Sequence, residues 1–260
     1  MNGLVFITGA SSGIGQALAQ AYYEAGWTLA LLARRTEAMQ QWAQAHGWAP
    51  SRYRLYAADV ADIDAVIAAA QSCMAQQGLP DVVVANAGIS IGMDTAERAD
   101  LDVMARIFAV NNVGLAATFH PFIVPMRQRG SGRLVGIASV AGIRGLPGHG
   151  AYCASKAAVI SYCESLRGEL RGSGVQVVTL SPGYVDTPLT RKNRYRMPFL
   201  LSADAFARRA LRAIDAGVSY RTIPWQMAVL TKLLRVLPNA WFDRLLQGRP
   251  RKHRAGHASP

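Results

Sequence analysis

Tyr152 and Lys156 stand four apart in A-Y-C-A-S-K-A-A, and Ser139 lies thirteen residues upstream of the tyrosine in G-I-A-S-V-A-G. On a helix, positions i and i+4 share a face, so the phenol and the ammonium project to one side. A neighbouring ammonium favours phenolate and draws a tyrosine pKa from its reference near ~10 toward working pH. Ser139, brought alongside, can donate a hydrogen bond to a substrate oxygen. Together the three can pass a proton to or from a carbonyl or an alcohol. Tyr-x-x-x-Lys also occurs on helices by chance, so the surrounding elements must supply the context.

Short apolar runs alternate with helical patterns along the chain. Leu4–Thr8, Thr28–Ala33, Tyr53–Ala57, Asp81–Ala85, Arg133–Ala138, Val175–Leu180 and Tyr220–Ile223 read as strands. Residues 13–25, 36–46, 62–77, 99–129, 151–172 and 203–216 read as helices. This alternation builds βαβ units around a parallel sheet covered on both faces. The expected fold is α/β: one doubly wound domain with a central parallel sheet of about seven strands. Tyr152 and Lys156 then lie on the helix at 151–172, and Ser139 follows the strand Arg133–Ala138.

With 260 residues, 51% hydrophobic and 17% charged, the chain can bury a large core and is not a disordered segment. Residues 1–223 are expected to form the catalytic domain, with a variable substrate loop at 184–202. Residues 224–260 form a basic amphipathic extension, either part of that domain or a membrane or subunit contact. Cys73, Cys153 and Cys163 form no C-x-x-C pair, which fits core thiols in a reducing compartment and no metal site. A cytoplasmic location is expected, with any membrane association at the inner face. The opening M-N-G-L-V-F-I-T-G-A reads as a strand entering a glycine turn, not as a signal peptide. No uninterrupted apolar stretch approaches the ~20 residues of a spanning helix.

The net charge of +12 is uneven. Residues 1–190 hold 13 Lys/Arg against 13 Asp/Glu, while residues 191–254 hold 15 Lys/Arg against Asp204, Asp215 and Asp243. The imbalance points to an anionic partner or surface for the last quarter, or to a solvated basic tail. Nucleic acid is not expected, because no known motif accompanies the charge.

The first strand ends in T-G-A-S-S-G-I-G, with Gly9, Gly13 and Gly15 before a helix. Glycines here let the backbone turn sharply and approach a pyrophosphate, whose charge sits well at a helix N-terminus. The second strand ends in L-L-A-R-R. A carboxylate at this strand end would hold the ribose 2′-OH of NAD, but Ala33 is followed by Arg34 and Arg35. A guanidinium suits a 2′-phosphate, so NADP(H) is expected ahead of NAD(H), mainly through Arg34.

With these motifs the chain resembles the short-chain dehydrogenase/reductase family, which has a Rossmann-like fold. The resemblance rests on T-G-A-S-S-G-I-G at 8–15, Asp59-Val60, Asn86-Ala87-Gly88, Asn111 with Gly114, Ser139, Tyr152-x-x-x-Lys156, and Pro182-Gly183 with Thr187. These run in the family's order from residue 4 to about 190; the tail is matched only loosely. The resemblance implies that Ser11, Ser12, Gly13, Ile14 and Gly15 belong to the cofactor turn. Thr8 and Asn86 would order the sheet and pocket. Asp59 would accept from the adenine amine, Val60 would pack nearby, and Asn86, Ala87 and Gly88 would border the adenosine ribose. Tyr152 would be general acid in reduction and base in oxidation. Lys156 would bond the nicotinamide ribose and lower the Tyr152 pKa, Asn111 would hold a relay water, and Ser139 would orient the carbonyl. Pro182, Gly183, Val185 and Thr187 would line the nicotinamide. Ala138 stands where the family often has a further serine, and Asn112 follows Asn111. The family also implies a homodimer or homotetramer built on the helices at 99–129 and 151–172.

Competing readings remain. His149, just before the helix of Tyr152, could touch substrate or be incidental. Cys153 reads as a small core thiol. A serine hydrolase would need a G-x-S-x-G elbow, and Ile137-Ala138-Ser139-Val140-Ala141 lacks both glycines. A non-catalytic cofactor-binding scaffold or sensor of the same fold is the rival from another class. Within the extension, Trp225, Val229, Leu233 and Val236 fall on one helical stripe, and Pro224–Gly248 could cover the substrate, pack on a subunit or lie at a membrane surface. The last ten residues or so read as frayed and solvated. Leu146, Met197, Phe199 and Leu200 suggest a small hydrophobic carbonyl substrate. A 3-oxoacyl thioester is the alternative.

Overall fold

In the computed structural model, residues 3–191, 193, 196–248, 252 and 254 are described. Lys192, Arg194 and Tyr195 of the basic loop and most of the last ten residues lie outside them. The chain runs β1 (Leu4–Thr8), α1 (Gly13–Glu24), β2 (Thr28–Ala33), α2 (Thr36–Ala45), β3 (Tyr53–Ala57), α3 (Ile63–Gln77) and β4 (Val82–Ala85). It continues through α4 (Arg98–Phe108), α5 (Gly114–Arg129), β5 (Gly132–Ile137), α6 (Gly150–Glu169) and β6 (Val175–Pro182). A two-residue pair, β7 (Val185–Asp186) and β8 (Leu201–Ser202), precedes α7 (Ala203–Asp215) and β9 (Tyr220–Ile223). Two helices close it, α8 (Trp225–Val236) and α9 (Asn239–Leu246).

Among the described residues, seven strands form one parallel sheet in the order β3-β2-β1-β4-β5-β6-β9. The order reverses between β1 and β4, and in such sheets a crevice opens there beyond the carboxyl ends of the strands. Because successive strand residues face opposite ways, each strand feeds two cores. Phe6, Leu32, Val83 and Leu134 pack with Val66, Phe119, Phe122 and Val159 from α3, α5 and α6. Val5, Ile7, Leu31, Val84 and Val178 pack with Leu18, Met39, Phe206 and Ile214 from α1, α2 and α7. The inner strands β2, β1, β4, β5 and β6 are largely buried on both sides and read as near-continuous apolar runs, whereas the edge strands β3 and β9 expose Arg54 and Arg221.

Three features differ from the sequence reading. The single helix expected at 99–129 carries a π-turn at Ala109–Val113 between α4 and α5. Such a turn inserts a residue and re-aims its side chains, and here it buries Asn111. The whole run Arg98–Arg129 is long and apolar enough to cross a membrane by length and composition alone, yet half of its apolar window is buried in the fold.

The extension is two helices: the stripe Trp225, Val229, Leu233 and Val236 lies along α8, and Pro238 cannot continue that helix and caps α9 instead. Arg144 holds the break: Nη1 donates to the carbonyls of Leu234 and, at 2.7 Å, Leu237. Its Nη2 donates to Asn239 Oδ1 at 2.9 Å, and the guanidinium lies 3.8 Å over the Phe242 ring. Met227 and Phe242 face inward, whereas Trp225, Val229, Leu233, Val236 and Trp241 are exposed.

Lys252 and Arg254, in the segment expected to fray, are docked on the fold. Arg254 Nε donates to the buried Asp100 at 2.6 Å, and Lys252 Nζ donates to Ser90 Oγ at 2.7 Å.

Candidate active site

The crevice at the strand reversal starts at the turn between β1 and α1. Gly9 takes φ 67° and Gly13 φ 57°, values that favour glycine, and both line the crevice with Ser11, Ser12 and Ile14. Gly15 does not line it. A Cβ there would lie 2.3 Å from the Gly9 carbonyl oxygen and 2.5 Å from Asn86 Nδ2, so Gly15 lets the helix close onto the turn. Asn86 fastens the turn to β4 by donating to Thr8 O at 3.0 Å and Gly9 O at 3.3 Å, while Thr8 Oγ1 accepts from the amides of Asn86 and Ala87.

The turn fits a dinucleotide pyrophosphate. No side chain caps the N-terminus of α1, and its first turn holds no acidic residue. The helix therefore presents free amide donors and the positive end of its dipole to the crevice.

At the far edge, Arg34 and Asp59 lie across from each other at 3.7 Å, with side chains 60% and 46% exposed. An ion pair this exposed is weak and leaves the guanidinium free for another anion. Asp59 Oδ1 already accepts from Ala61 N at 3.0 Å. Val60, Asn86, Ala87 and Gly88 complete this wall.

Ser139 follows β5 and Tyr152 and Lys156 project from α6, and all three line the crevice. The short turn Val140–Gly142 presses on α6, since a Cβ at Gly142 would lie 2.7 Å from the Lys156 carbonyl carbon. Lys156 is 5% exposed, and its Nζ donates to Ile137 O at 2.8 Å and lies 5.9 Å from the Tyr152 ring centre. Burial draws the Lys156 ammonium down to about 8.

The expected lowering of the Tyr152 pKa by Lys156 does not appear. Burial pushes the phenol up, and the downward pull comes from a hydrogen bond to Ser139. The ammonium spends its short contact on the Ile137 carbonyl. A phenol kept protonated beside a serine hydroxyl can act as an acid toward a carbonyl oxygen.

Asn111 stands behind this group and does not line the crevice. Its Nδ2 donates to Ile89 O at 3.0 Å and Ser155 Oγ at 2.9 Å, and its Oδ1 accepts from Ile89 N at 2.8 Å. Both amide hydrogens are spent, so a relay water is left to the second lone pair of Oδ1 or to the main chain of the π-turn.

Pro182, Gly183, Val185 and Thr187 line the opposite wall. Thr190, which the sequence reading missed, lines it too. Its Oγ1 donates to Val185 O at 2.5 Å and accepts from Thr187 N at 3.1 Å. Ser155 was also missed, although its place three residues after Tyr152 marks the same helical face; Oγ donates to Tyr152 O at 2.8 Å. His149 is buried beside Lys252, and its imidazole is pulled down first by burial. Burial likewise raises the Cys153 thiol, consistent with a core residue.

Comparison with known proteins agrees with this geometry. Residues 3–197 match the short chain dehydrogenase family. An uncharacterized oxidoreductase of Myxococcus xanthus is 39% identical over 240 residues, covering 91% of this chain and 93% of that protein. Acetoacetyl-CoA reductase of an Acinetobacter species is 31% identical over 193 residues, covering 74% and 77%. A short-chain dehydrogenase from Burkholderia cenocepacia, solved in complex with NADP, superposes with TM-score 0.81 at 22% identity over 94% of this chain and 98% of that one. The last establishes likeness of fold. The chain belongs to the short-chain dehydrogenase family and is an oxidoreductase of that class.

Proposed function

We propose that the protein is an NADP(H)-dependent carbonyl reductase, interconverting a carbonyl and a secondary alcohol on a small substrate. The observation that carries this reading is the convergence of Ser139, Tyr152 and Lys156 on one crevice whose other end is the Gly9–Gly13 turn. Bound NADPH supplies the hydride. The amides at the start of α1 hold its pyrophosphate, and Arg34, with its solvent-exposed guanidinium, takes the 2′-phosphate. Asp59, Val60 and Asn86–Gly88 border the adenosine half. Lys156 faces the nicotinamide ribose, and Pro182, Gly183, Val185 and Thr187 back the ring. Ser139 and Tyr152 donate to the substrate oxygen, and Tyr152 passes it the proton. A phenol held above its ordinary pKa suits the reductive direction, which needs the acid form.

A basic last quarter and the likeness to an acetoacetyl-CoA reductase favour a second reading, a 3-oxoacyl thioester reductase. The rival scaffold reading keeps the cofactor but no turnover. Oxidation of NADPH and NADH, side by side, with aldehydes, ketones and a 3-oxoacyl thioester separates the three. We expect NADPH to be used ahead of NADH; silence across the panel with NADPH bound would favour the scaffold.

We further propose a homodimer or homotetramer through the helices that carry exposed Leu101, Met104, Val113, Val124 and Tyr162. We place the segment 224–248 in the same domain, since Met227 packs behind Gly183, which itself lines the crevice. Its outer apolar stripe, interspersed with Lys232 and Arg244, makes peripheral contact with the inner face of a membrane from a cytoplasmic location.

A further inference from the structure

Lys252 is far from the family motifs in sequence, yet its Nζ lies 5.9 Å from the centre of the Tyr152 ring. It lines no part of the cofactor crevice. Ser90 Oγ accepts from it at 2.7 Å, and His149 lies close enough to feel its charge. Tyr152 is thus flanked by two ammonium groups at the same distance, Lys156 on the crevice and Lys252 off it.

Its position is held by neighbours. Two residues on, Arg254 pairs with Asp100 at 2.6 Å and reaches Glu97 at 3.6 Å. The Asp100 carboxylate is buried and also accepts from Asp94 N at 2.7 Å. The backbone of Arg254 bridges to Gly92. A buried charge-assisted pair of this kind fixes a segment against the loop that follows β4.

Among the described residues, no carboxylate lies within ion-pair distance of Lys252. Burial draws its ammonium down to about 8. A half-buried cation lacking a counter-charge is costly, and an anion delivered beside it removes that cost.

We infer that Lys252 is a substrate-recognition residue, and that the substrate is an oxo acid whose carboxylate meets Lys252 while its ketone meets Ser139 and Tyr152. This rests on the reductase reading of the site and narrows its substrate class. Lys252 Nζ stands 5.9 Å from the Tyr152 ring centre, so an anion held by it would lie beside the ring that presents the phenol.

Calorimetric titration of the NADPH-loaded Tyr152→Phe variant measures binding apart from turnover. The probes are oxo-pentanoates with the ketone alpha, beta or gamma to the acid, each beside its methyl ester. At least one acid is expected to bind about tenfold or more tighter than its ester. Adding Lys252→Met should erase that preference and leave ester binding unchanged, whereas Lys252→Arg should keep it. Equal affinity for every acid and its ester, loss of both alike in Lys252→Met, or no binding of either overturns the inference. The reductase reading fails separately, if the parent protein oxidises NADPH with no carbonyl while the acids still bind.

Discussion

Lys156 sits 5% exposed on the Ile137 carbonyl, and its pKa falls from 10.5 to about 8. Below pH 8 the amine is charged in both folded and unfolded chains, and the burial cost is fully felt. Between about 8 and 10.5 the unfolded chain binds the extra proton, so this group's contribution makes stability rise with pH. Lys156→Met removes that gain. In protein without added nucleotide, its stability relative to the parent should fall by about 2 kcal/mol between roughly pH 7.5 and 9.5 in urea unfolding. A pH-independent difference would mean that the lysine keeps its ordinary pKa in the folded chain. Arg34 supports a second prediction at this scale. Arg34→Ala should raise the KM for NADPH by roughly tenfold or more and leave that for NADH unchanged, as loss of a phosphate-binding charge requires. An equal change for both cofactors would assign Arg34 to structure.

The elements decide whether these side chains meet. The turn Val140–Gly142 leans on the α6 backbone at Lys156, leaving no room for a Cβ at 142. Gly142→Val should push Ser139 away from Tyr152 and lower kcat by about a hundredfold, since small misplacements cost that much. NADPH affinity, read by fluorescence, should stay within a few-fold; loss of both would point to general unfolding. Much of this scale was legible in the sequence. Strand and helix runs followed from apolar periodicity, and Tyr152 and Lys156 from spacing on one helix. The π-turn was not legible, because residues 105–117 keep a helical pattern on both sides and one inserted residue leaves no compositional mark. The role of Gly142 was hidden for a related reason: its neighbour is the backbone of α6, reached only after the chain folds. The expected Lys156 effect on Tyr152 failed similarly, since spacing placed both groups on one face but could not show the Ile137 carbonyl taking the ammonium.

At the scale of the whole molecule, the last quarter carries the net charge and two kinds of surface. Its inner side packs on the fold through Met227 beside Gly183, Phe242 under Arg144, and Lys252 beside the Tyr152 ring. The docking of Lys252 was invisible in a segment that reads as a solvated basic tail, because Ser90 and Asp100, which hold it and its neighbour, lie over 150 residues away. Its outer side exposes Trp225 (68%), Leu233 (62%), Val236 (78%) and Trp241 (71%), enough apolar surface to seek cover. The 260-residue chain should sediment with anionic liposomes at low salt and be released by replacing Trp225 and Trp241 with serine. No sedimentation of the parent at low salt ends the membrane proposal. Hydride transfer with Tyr152 as proton donor is the chemistry proposed for the crevice. Its most direct test is reduction of a ketone by NADPH carrying deuterium at the transferring carbon, in the parent and in Tyr152→Phe. Deuterium is expected on the carbinol carbon, with a loss of about 10²–10⁴-fold in kcat/KM for Tyr152→Phe and NADPH affinity retained. Parent-like turnover by Tyr152→Phe, or a parent that binds NADPH and labels no carbonyl, would contradict it.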